Sequence, residues 1–108
     1  MAKDAWNLDT EDGTAAVEAL VDPREQDIYW ETAHAREEYF RAGLSYEDYA
    51  PAYCVGYIGY AQYRGSYDDA EKSLLANWCR IKGDSQLTLE EAQQAIRAAW
   101  DRVAQLYG

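Results

Sequence analysis

Apolar residues recur at intervals of three and four through the second half of the chain. Tyr67, Ala70, Leu74, Trp78 and Ile81 form one run, and Leu89, Ala92, Ile96, Ala99, Trp100, Val103 and Tyr107 form another. Lys72, Arg80, Glu90, Arg97 and Asp101 fall on the opposite faces. That period predicts two amphipathic helices, each with one stripe packed into a core. Between Ala50 and Tyr63 the pattern changes, because no charged residue occurs at all. A helix apolar on every side has to be enclosed, so this segment is expected at the centre of the fold.

Start and stop signals divide the chain. Asp22 precedes Pro23 with Glu25 following, Ser45 and Ser66 each stand three residues before an Asp, and Thr88 stands three before Glu91. Each is a helix N-terminus signature. Gly43, Gly65 and Gly83 sit where three of the helices should end. The predicted elements are helices over about 23–41, 50–64, 67–82 and 89–107. Pro51 suits the first turn of the second, which leaves 45–49 as a separate turn. No alternating stretch reads as a strand. The fold class expected is all-α, a compact bundle of about four helices. Residues 1–21 read as a flexible acidic N-terminal segment and 22–108 as a single helical domain. Within the former, Thr14–Val21 would form a short helix or dock as an apolar arm.

Tyr46, Tyr49, Tyr53, Tyr57, Tyr60, Tyr63 and Tyr67 follow one another at steps of three and four. Those within the second helix span an arc of about 120°, a single stripe. Ala52, Gly56 and Gly59 form a small-residue strip beside it, against which the first helix is the expected neighbour. The chain has ten Tyr and one Phe. A phenol unpaired in the interior costs about 1–3 kcal/mol, so rings inside with hydroxyls at water or at a polar partner are expected. Two functional readings stand beside that core reading. The aromatic face could bind a protein, a second copy included, or line a small-molecule groove between helices. The residues for either are Tyr49, Tyr53, Tyr57, Tyr60, Glu71 and Trp78. Glu71 would be the polar member of a pocket or a satisfied acid at the core edge.

Twenty acids against ten bases give a net charge of −10. Residues 1–27 hold eight of the acids and two of the bases. This balance opposes nucleic-acid and anionic-membrane partners, both of which need clustered Lys and Arg. No run is long and apolar enough for a membrane span, and the start has no signal-peptide core, so the expected location is the cytoplasm. Cys54 and Cys79 are then free thiols.

Candidate chemistry is sparse. Glu31 and His34 make one E-x-x-H step, but a di-iron bundle needs two and His34 is the sole histidine. Only a site shared between two copies survives that count. The plainer expectation is that His34 pairs with Glu31 or Glu38 on a helix surface. Cys54 lies in an apolar helix, which makes a thiol inert. Glu37, Glu38, Asp68 and Asp69 come as adjacent pairs that diverge by about 100° on a helix. The chain has no phosphate loop and no nucleophile motif. It therefore reads as non-enzymatic, with no metal and no cofactor.

Tyr29-Trp30, the stretch Ser45–Tyr53 with Gly56, then Tyr67, Glu71, Leu74 and Trp78, and finally Arg97–Val103 together resemble a family of small uncharacterised bacterial proteins. Their shared mark is Tyr-x-Pro-Ala-Tyr followed by Gly, with an Arg-x-x-Trp helix near the C-terminus. The likeness covers residues 27–103. It implies a bacterial source and brings no activity with it.

Overall fold

A computed structural model describes residues 21–107. The expectations for a flexible acidic segment and an apolar arm fall on residues outside this range, apart from Val21, which is buried. Four helices follow in order: α1 (Pro23–Ala33), α2 (Tyr46–Tyr63), α3 (Tyr67–Ile81) and α4 (Leu89–Tyr107), with a short 3-10 turn at His34–Arg36. Among the described residues there is no strand.

The N-termini form as their sequences dictate. Asp22 accepts the Arg24 amide, with Pro23 in the first turn. The Ser66 hydroxyl accepts the Asp69 amide. Thr88 and Glu91 exchange both bonds of a capping box.

Two boundaries differ from the sequence reading. Helix α1 stops at Ala33 rather than near residue 41, and Glu37 is extended. Tyr39 and Phe40 leave the helix axis and pack on Tyr49 and Tyr53, while the Arg41 amide donates to the Tyr49 hydroxyl. Those contacts to α2 replace the extra helical turns. Helix α2 begins at Tyr46, not after a separate turn, and carries Pro51 inside it. The Ser45 amide donates to the Asp48 carboxylate and fixes the start. Pro51 forfeits one bond, to the Glu47 carbonyl, a loss confined to the first turns.

The left-handed residue that ends α2 is Arg64, φ 60°, rather than Gly65. A side chain in that region costs about 1 kcal/mol or more, which glycine avoids. Arg64 is exposed, so Arg64→Gly is expected to raise stability by about 1 kcal/mol, read as a higher urea midpoint at an unchanged slope.

Helix α2 is the central element, packed by the other three. Its small residues face α4 and α3, not α1 as the sequence suggested. Gly56 lies against the Ile96 carbonyl and Ala99, and Gly59 against Leu74. Helix α1 takes the tyrosine side instead, through Trp30 stacked on Tyr53 at 4.3 Å and 11°. The core thus runs from Trp30 and Tyr53 through Ala52, Ile96 and Ala99 to Leu74 and Trp78.

Candidate interaction surface

Tyr49 and Tyr53 are fully buried, and Tyr57 and Trp78 nearly so. Tyr60 and Glu71 are half-buried. Four of the six residues singled out as a contact face are therefore enclosed by the chain's own helices. Tyr49 and Tyr53 stack along α2, with His34 tilted on Tyr49 at 5.1 Å. Tyr60 stands edge-on to Trp100 at 5.5 Å, on the same face of α2 but two turns nearer its C-terminal end. Glu71 accepts from the Gln93 amide, and joins α3 to α4. The set divides into two aromatic groups and a polar strut.

The hydroxyls are met much as a buried phenol requires. Tyr53 and Tyr39 share a hydrogen bond of 2.6 Å. Tyr46 donates to Asp27 at 2.7 Å, and Tyr49 accepts the Arg41 amide at 2.8 Å. Burial first, then the Tyr39 bond, holds the Tyr53 phenol far above its ordinary value. Burial and the Asp27 bond do the same for Tyr46. The Tyr67 hydroxyl is buried without a hydrogen bond. Burial, with the Glu71 carboxylate beside it, raises that phenol too.

His34 is buried rather than on a surface. Its Nδ1 meets the Trp30 carbonyl at 2.9 Å, an arrangement in which Nδ1 carries the proton and donates. Phe40, Tyr46 and Tyr49 surround the ring. Glu31 and Glu38 are exposed and are not its hydrogen-bond partners. Among the described residues no three His, Cys, Asp or Glu side chains gather as a metal site. Cys54 and Cys79 are both free, and burial pushes the Cys54 thiol up.

Two long-range polar ties have no local signature in the chain. The Asp48 carboxylate caps its own helix with one oxygen and accepts the Gln86 amide with the other, at 3.0 Å. The Ser85 hydroxyl bonds the Asp48 carbonyl. Arg41 makes a two-pronged pair with Glu91, at 2.9 and 3.0 Å, and reaches the Gln86 carbonyl. Arg41 first and the Thr88 amide second hold the Glu91 carboxyl below its ordinary value. The first pins the start of α2 to the α3–α4 loop; the second ties the α1–α2 connection to that loop and to the first turn of α4. They are structural, since every group in them is already paired with protein.

What α2 leaves uncovered is the edge opposite its packed faces. Pro51, Cys54 and Ile58 lie there at steps of three and four, each half-buried. On a helical wheel they fall within about 60° of one another, with α1 on one flank and α3 on the other. A groove of about 220 Å³ runs along the α3 flank, lined by Cys54, Val55, Ile58, Asn77, Arg80 and Ile81 among others. Ile81 is 50% exposed. An edge helix would normally place charged side chains here; α2 places none between Ala50 and Tyr63.

Comparison of the chain with protein-family models, with curated proteins and with solved structures gives no match in any of the three. Among the described residues no helix is long and apolar enough to cross a membrane.

Proposed function

We propose that this chain is a non-enzymatic helical interaction domain, and that its contact surface is the Pro51–Cys54–Ile58 edge of α2 with Ile81 of α3. One observation carries the reading: a central helix without charge for 14 residues keeps one apolar edge open after three other helices have packed on it. Single exposed apolar residues are ordinary, but a contiguous uncharged edge marks a contact. The tyrosines serve this surface indirectly, by holding α2 rigid. The bacterial, cytoplasmic setting suggested by the sequence belongs to the same proposal.

The test attaches a photo-crosslinker to Cys54 in a Cys79→Ser background and illuminates cell extract. Adducts of higher mass are expected, and Ile58→Glu and Ile81→Glu should each remove them while the far-UV helical signal is kept. Failure of Cys54 to form any adduct, or adducts indifferent to both substitutions, would refute the reading.

A further inference from the structure

We infer that the occupant of this edge is a second copy of the chain, its α2 lying parallel to the first about a two-fold axis that runs along the helix. The inference rests on the reading of the edge as the contact surface, and it names the partner.

Spacing supplies the first reason. Pro51, Cys54 and Ile58 follow the three-four alternation of a coiled-coil seam, a narrow line suited to another helix rather than to a broad surface. Ile58 then takes a position at which a β-branched side chain favours two parallel strands.

Charge supplies the second. The α1 flank of the edge presents two acids, Asp27, bonded to Tyr46, and Glu31, which is exposed, against one base, Arg24, a turn earlier on the same face. The α3 flank presents Arg80, exposed, bonded to Asn77 and lining the groove. A two-fold axis along α2 exchanges the flanks. Each acidic rim then meets the other copy's Arg80, and this happens twice, as an isologous interface requires. The antiparallel alternative sets the α1 acids of the two copies against each other and the two Arg80 side chains against each other, so the parallel pairing is the complementary one. Glu47 stands at the N-terminal end of the edge and shares a cleft with Asp48, Lys82 and Asp84 of its own chain, so the closest approach of the two copies is expected at Cys54 and Ile58 rather than at that end. The net charge of −10 repels a second copy from most of the surface. The uncharged edge is where such a copy meets least opposition.

In a parallel pair, identical residues lie at equal heights, so the two Cys54 thiols should face one another. Sedimentation equilibrium of the purified full chain is expected to show a dimer. Arg80→Glu should weaken it roughly ten-fold with helical content unchanged, and Glu31→Arg added to that variant should restore it. Mild copper–phenanthroline oxidation of the Cys79→Ser chain should yield a disulfide-linked dimer through Cys54. If the purified chain is a monomer at every concentration while Cys54 still crosslinks to other proteins in extract, the second copy is wrong and the interaction reading survives. A monomer that also forms no Cys54 adduct refutes both. A dimer that ignores the Arg80–Glu31 exchange, or that does not link through Cys54, overturns the parallel arrangement.

Discussion

Gly56→Ala is expected to destabilise the domain by about 2 kcal/mol or more, although alanine is intrinsically the better helix former by about 1 kcal/mol. A Cβ at this position would collide with the Ile96 carbonyl and stand 2.7 Å from the Ala99 Cβ. Neither atom can rotate aside, since one is helix backbone and the other is fixed to it. The two helices would have to separate, and the contacts beside Gly56 would loosen with them. Gly59→Ala is the control. Its Cβ meets only the Leu74 side chain, with the Cδ2 methyl the one close atom at 2.5 Å, and that methyl can turn away. The helix-propensity gain then offsets much of the repacking, so Gly59→Ala should stay within about 1 kcal/mol of the parent. Urea midpoints for the two variants, at equal slopes, decide the matter. Equal losses at both positions would mean that α2 and α4 are not in backbone contact at Gly56.

The second large effect is alkaline unfolding. Tyr39, Tyr46, Tyr53, Tyr57 and Tyr67 all have phenols raised above their ordinary value of 10.0, with burial as the leading cause in each. The sign follows from which state binds the proton. In the unfolded chain these phenols ionise from about pH 10, while in the folded chain they remain neutral beyond it. Their stabilising contribution is complete below about pH 10 and is lost as pH climbs from there toward the higher folded-state values. Each fully buried phenol removes about 1.4 kcal/mol per pH unit in that window. Tyr53 counts in full and Tyr57 and Tyr67 nearly so, while Tyr39 and Tyr46 are half-exposed and count for less. A domain of ordinary stability should therefore unfold cooperatively within one to three units or so above pH 10. The phenolate absorbance of these five and the loss of helical circular dichroism should rise together. Gradual ionisation of all ten tyrosines with the helical signal intact would show these five rings to be wet.

The amphipathic stripes of α3 and α4 were legible because each has one apolar face and one charged face, so period alone places them. The central position of α2 was legible from its lack of charge. Where α1 ends was not. The stretch after Ala33 has good helix formers, and only the arrival of Tyr39 and Phe40 on Tyr49 and Tyr53 pulls it off the axis. Asp48 could be read as a helix cap because its partner Ser45 is three residues away. Its second oxygen bonds Gln86, 38 positions on, and no local pattern carries that. Period also could not decide which helix lies against Gly56, since it places the small strip on one side of α2 without saying which neighbour packs there. The candidate surface was hidden for a related reason. Tyrosine is the commonest residue of α2, yet Tyr49, Tyr53 and Tyr57 are spent on the interior, and the open edge is written in Pro51, Cys54 and Ile58.

Amide hydrogen exchange along α2 tests most directly whether that helix is wrapped by the rest of the chain. Amides from Tyr53 to Ala61 should exchange only through global unfolding, with an opening free energy equal to that from urea denaturation and slower than any in α1. Exchange of these amides through local opening, at rates matching the ends of α1 or the α3–α4 loop, would contradict the account.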